Sequence, residues 1–114
     1  MESLKKNFLI PTGGIKSSPF KCLDGVERTV HVKCKTQDEI VGFAGSLMRL
    51  PDDEKGDLKR QRVRAEFIAN GLCDETGEPL MTADEAYLIP AMTKVEVCEL
   101  IIKLSNDIGD AGNG

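Results

Sequence analysis

Apolar positions along this chain change period twice. Between residues 19 and 35 they alternate. Val26, Val30, Val32 and Cys34 fall on one face and Glu27, Thr29, His31, Lys33 and Lys35 on the other, with Arg28 the one polar residue on the apolar side. A period of two is the mark of a half-buried strand. Phe20-Lys21-Cys22-Leu23 precedes this run, and Asp24-Gly25 between the two stretches is a hairpin signal of the type that requires positive φ at both turn positions. Arg28 is expected at the wet end of its strand. Two strands are marginal alone, so helices are expected to cover the apolar face.

From Thr36 the period becomes helical. Ile40, Phe43, Ala44, Leu47 and Met48 give a stripe over residues 37–50, ended by Pro51. A second helix is predicted over 53–70, capped by Asp52 or Asp53, with Val63, Phe67 and Ile68 inward and Asn70-Gly71 as its stop. Leu72 to Met81 reads as a connector with a turn at Asp74–Gly77. A short helix follows over 83–89, with Ala86, Leu88 and Ile89 buried and Pro90 ending it. The last helix, 94–107, carries Val97, Leu100, Ile101, Leu104 and Ile108, and Gly109 closes it. Three starts share one signature: Thr36…Glu39, Thr82…Glu85 and Thr93…Glu96 are capping boxes, in which the Thr oxygen accepts the N3 amide and the Glu reaches back to the cap amide.

The expected fold class is therefore α+β, mainly α: an N-terminal β-hairpin followed by about four helices. Residues 1–18, with Pro11, Gly13, Gly14, Ser17 and Ser18, read as a flexible arm, whose short apolar patch Phe8-Leu9-Ile10 plus Ile15 is expected to dock on its own domain or on a neighbour. Residues 19–109 form a single domain, and the Gly-rich 110–114 reads as a disordered tail. A chain of 114 residues with 40% apolar and 30% charged side chains is an ordinary one-domain composition. Its core is expected to be built of Leu, Ile, Val and Met, because only 4% is aromatic. No run is long and apolar enough for a membrane span, and the first residues do not form a signal peptide.

Charge divides the chain unevenly. Residues 1–73 carry 13 basic and 10 acidic side chains (+3), and residues 74–114 carry 2 and 9 (−7). Such asymmetry suits head-to-tail self-association or a basic partner, or else a solvated acidic face. Cys22, Cys34, Cys73 and Cys98 are widely spaced and read as reduced thiols acting as small hydrophobes. The candidate chemistry is thin. Asp74-x-Thr76-x-Glu78…Glu85 imitates a calcium loop but puts Pro79 where the sharp turn needs glycine. Lys59-Arg60-Gln-Arg62-Val-Arg64 offers phosphate contacts but is surrounded by acids and lacks aromatics, so a salt-bridged face or a docking face for the acidic half is the better reading. His31, the one histidine, has no nucleophile or acid at catalytic spacing. No catalytic residue, metal or cofactor is expected.

The segment from Arg64 to Gly109 resembles the tail assembly chaperones of long-tailed phages. The resemblance is carried by Ile68-Ala-Asn-Gly-Leu72, the turn Asp74–Gly77, the apolar pair Leu80-Met81, the helix start Thr82–Glu85 and the ending Leu104–Gly109, with the Asp24-Gly25 hairpin and the Thr36 helix start matching the usual opening. It covers residues 19–109. The ending Leu104-Ser-Asn-Asp-Ile-Gly109 departs from the family's usual Leu-Asn-Gly-Leu-Gly. The resemblance implies a non-enzymatic protein that self-associates, binds the tape measure protein, keeps it soluble and promotes polymerisation of the tail tube protein around it. It also implies residence in the host cell cytoplasm, absence from the mature virion, and a longer product made by translational frameshift. The expected partner-binding residues are Val97, Leu100, Ile101, Leu104 and Ile108 on the last helix and Phe8, Leu9 and Ile10 on the arm. The rival readings are a head–tail connector or other structural virion protein, and a small nucleic-acid-binding regulator using the 59–64 run. No nucleic acid or membrane partner is expected on the first reading.

Overall fold

A computed structural model describes residues 14–106. Its fold is α+β and mainly helical. The strands β1 (Ile15–Lys21) and β2 (Glu27–Lys33) form the hairpin. They are followed by helices α1 (Gln37–Met48) and α2 (Glu54–Gly71), strand β3 (Leu72–Cys73), and helices α3 (Ala83–Tyr87) and α4 (Ala91–Asn106). The sheet is antiparallel, in the order β1-β2-β3. The predicted arm up to residue 13, with Phe8, Leu9 and Ile10, lies outside the described residues, as do Ile108, Gly109 and the predicted tail.

The hairpin starts earlier than its sequence implied. Ile15 to Ser18, assigned above to the arm, are strand residues, with Ile15 opposite Lys33 and Lys21 opposite Glu27. Serines here lie on a pleat that β2 pairs throughout, and that pairing overrides their weak strand preference. Cys34 N–H donates to Gly14 O (2.7 Å) and Cys22 N–H to Val26 O (3.0 Å). By that alternation the even residues of β1 bond to β2 and the odd ones face the open edge, where Pro19 has no N–H to leave unpaired. The turn also differs from the two-residue expectation. Its loop is Leu23–Gly25, and only Gly25 has positive φ (82°). A three-residue hairpin loop needs its left-handed residue only at the last position. Asp24 accepts Val26 N–H and forms a two-pronged pair with Arg28 (2.9 and 2.8 Å), the wet end expected of that strand.

β3 lies within the predicted connector. Leu72 pairs with Val32 and Cys73 with His31, and the chain then reverses through Glu75–Gly77 to a bridge between Cys73 and Pro79. Asp74 N–H bonds to Glu78 O and Gly77 takes φ 93°, so this loop repeats the geometry of the first one.

Helix α2 is central, packing on α1, α3, α4 and the sheet. Val32, Ile68 and Ile101 are the largest fully buried side chains. Ala65, Phe67, Leu72, Ala86, Val97, Cys98 and Leu104 surround them. Burying each large aliphatic side chain contributes about 1.5–3 kcal/mol. Phe43 of α1 stacks on Phe67 with centroids 4.0 Å apart, which fastens α1 to α2. Cys34, Cys73 and Cys98 are buried and Cys22 is half-buried, all as free thiols. Desolvation pushes the Cys98 thiol up to about 12.

Two of the three capping boxes form. Thr36 and Glu39 exchange bonds at α1, and Thr82 and Glu85 at α3. Asp53, the cap of α2, accepts Gly56 N–H at 2.7 Å. The third box does not form, because α4 starts at Ala91 and Thr93 is already inside it. Lys94 N–H donates to Pro90 O (2.9 Å), and the Lys94 ammonium donates to the carbonyls of Tyr87 and Ile89 at the end of α3. That buried cation closes the α3 C-terminus and needs its residue in the first turn of α4. Three apolar assignments also change: Ala44, Met48 and Leu88 point to solvent, with Met48 85% and Leu88 82% exposed. Met48 and Leu88 stand at the ends of α1 and α3, where none of the described elements covers them.

Candidate binding groove

The even face of the hairpin is longer than the helices that cover it. Val32 is sealed, but Val30 and Phe20, nearer the turn, are only half-covered, and Val26 at the turn is half exposed. A groove opens between this uncovered end and α4. The hairpin contributes Phe20, Cys22, Leu23 and Val30 to its lining, α4 contributes Thr93, Val97 and Leu100, and Leu72, Leu80, Met81 and Ile89 complete it. Its volume is about 230 Å³ and its exposed lining is apolar throughout. Pockets for small-molecule ligands usually measure about 300–1,000 Å³ and include a few placed polar groups. This one suits one or two apolar side chains of a polypeptide. At its rim Leu23 is 73% and Leu80 54% exposed.

Beside the groove along α4 lies a second recess of about 280 Å³, lined by Phe20, Glu96, Glu99, Leu100 and Lys103. Phe20 and Leu100 belong to both. An apolar slot therefore has an acidic flank carrying two exposed glutamates and one lysine.

The residues expected to bind a partner divide sharply. Val97, Ile101 and Leu104 are 5%, 0% and 8% exposed and serve the chain's own core. Among the described residues of the stripe, most are consumed by packing on α2 and the sheet, and Leu100 and the edge of Val97 line the groove. Most groove residues were not legible as a site, because they come from segments scattered between Phe20 and Leu100. Leu23 and Leu80 did carry a signal, being apolar residues placed in turn and connector positions where polar ones are usual.

Elsewhere several charged groups are engaged in local hydrogen bonds and ion pairs. His31, Thr29, Cys73, Asp74 and Thr76 line a cleft of about 480 Å³ beside β2. The Asp74 carboxylate there accepts Thr76 Oγ1 (2.6 Å), Thr76 N–H (2.8 Å) and Glu78 N–H (3.1 Å), and these bonds hold it below the usual carboxylate range. It holds a turn together, and Glu85, the other end of the calcium-like spacing, serves the α3 cap. Within the basic run, Arg60 bonds to Asp57 and to the carbonyls of Leu50 and Pro51, and Arg62 to Asp84 (2.7 Å). These arginines tie α2 to the α1–α2 junction and to α3.

Comparison with family models, with curated proteins and with solved structures finds no match for this chain.

Proposed function

We propose that this protein is a non-enzymatic phage tail assembly chaperone. In this reading it self-associates, binds the tape measure protein in the host cytoplasm, keeps it soluble while the tail tube protein polymerises around it, and is absent from the finished virion. The observation that carries the reading is the apolar groove between the hairpin turn and α4, with rim leucines left in water. A tape measure helix displays long apolar stripes that aggregate when unprotected. A helix laid across the groove inserts residues spaced three or four apart, and Met81 adjusts to differing side chains. Many copies along one long partner gain avidity from individually weak contacts.

Co-expression with the tape measure protein tests this. Retention of that protein in the soluble fraction, and its recovery in a pull-down of this chain, is the expected result. Equal solubility with and without this chain overturns the proposal. Persistence of the chain in purified particles points instead to a structural virion protein. Salt-dependent DNA binding that is lost when Lys59, Arg60, Arg62 and Arg64 are changed to alanine points to a regulator.

A further inference from the structure

We propose that the groove also receives residues 5–10 of a second copy of this chain, with Phe8 and Ile10, alternate residues of an extended segment, in the apolar slot, Leu9 toward its exposed leucine rim, and Lys5 and Lys6 against Glu96 and Glu99. The proposal deepens the chaperone reading and rests on the same groove.

Complementarity is the first argument. Lys5-Lys6-Asn7-Phe8-Leu9-Ile10 is two cations followed, one residue on, by three apolar side chains. The receiving surface has the same order in space: an acidic flank with Glu96 and Glu99, then a slot without exposed polar lining. Lys103 in the flank sits opposite Glu99 in sign and leaves a net acidic recess. The wider charge division, +3 for residues 1–73 and −7 for the rest, points the same way.

Reach is the second argument: a neighbouring copy is the less constrained donor, and a monomeric wild type is the outcome that would leave the segment on its own molecule. An extended chain spans at most about 3.6 Å per residue, so Ile10 lies within about 14 Å of Gly14 and Phe8 within about 21 Å. Along β1, Phe20 stands about 20 Å from Gly14 at about 3.3 Å per residue. Within one molecule Ile10 reaches Val30 and Leu72, nearer the start of β1, but Phe8 arrives beside Phe20 only at full extension. The segment of a neighbouring molecule has no such tether. Because donor segment and acceptor groove are different surfaces, the contact is head-to-tail and propagates into a chain or ring of copies. A partner helix that takes the groove competes with the segment, so loading the partner remodels the assembly.

Sedimentation of the full chain is the test. Wild type is expected to form concentration-dependent species above the 12.4 kDa protomer. F8S/L9S/I10S, changed outside the folded elements described here, is expected to sediment as the protomer. Glu96→Lys with Glu99→Lys is expected to weaken assembly at least 10-fold at low salt, and adding Lys5→Glu with Lys6→Glu to restore it. A labelled peptide of residues 4–12 is expected to bind the F8S/L9S/I10S protein and to be lost with Leu23→Ser/Leu80→Ser. A monomeric wild type, an unchanged F8S/L9S/I10S assembly, or charge reversal without rescue overturns the inference. If F8S/L9S/I10S is monomeric and still keeps the tape measure protein soluble, the arm exchange and the chaperone reading both stand. If the assembly behaves as expected but the tape measure protein is not held, only the chaperone reading falls.

Discussion

At Gly56 a single methyl group has nowhere to go. A Cβ there meets the Pro51 carbonyl oxygen at 1.9 Å, because α2 leaves the Pro51 turn directly over it. At Gly71 a Cβ meets Ile101 Cδ1 at 2.7 Å, where α2 ends against α4. Overpacking of this kind costs about 1–3 kcal/mol when side chains absorb it. Gly71→Ala is expected in that range, and Gly56→Ala at its upper end or beyond, since backbone yields less than the end of an isoleucine. Urea midpoints of the two variants check the order. Single carboxylates also set the acid limit. Glu39 is held below its ordinary value chiefly by the Thr36 N–H, Asp24 by Arg28, and Asp74 by the Thr76 hydroxyl. A depressed folded-state value means the unfolded chain takes up protons first. The stabilisation is therefore complete above the ordinary values of 4.5 and 3.8 and is lost as pH falls through the folded ones. The urea midpoint is expected to be nearly level from pH 7 to 5 and to drop below about pH 4.5, with Glu39→Gln flattening part of the drop.

Among the elements, identical motifs have unequal fates. Thr36→Ala, Thr82→Ala and Asp53→Ala each remove an observed cap and are expected to cost about 1 kcal/mol. Thr93→Ala removes none and is expected to cost less than half as much, as thermal or urea unfolding will show. The four helices and the hairpin were legible because period, Pro51, Pro90 and the turn glycines are local signals. The failure at Thr93 was not legible, since it depends on Lys94 reaching the carbonyls at the end of α3. β3 is two residues long, and its partners His31 and Val32 lie some 40 positions earlier, so no local pattern marks it. For the site, the α4 stripe was visible, but its division between core and groove depends on where α2 and the sheet end. Leu23 and Leu80 were visible as misplaced apolar residues without showing that they share a rim.

For the whole molecule, one imbalance governs the account: the hairpin is longer than its cover. The helices seal the sheet at Val32 and leave Phe20, Val30 and Leu23 facing α4 across an open slot. Filling that slot with another polypeptide's side chains gains burial that the chain alone does not provide. The most direct measurement is the soluble fraction of the tape measure protein co-expressed with wild type or with Leu23→Ser/Leu80→Ser, whose substitutions lie on the exposed rim and spare the core. The account predicts soluble tape measure protein with wild type and pelleted protein with the variant. Equal solubility with both, while the variant stays folded, would contradict it.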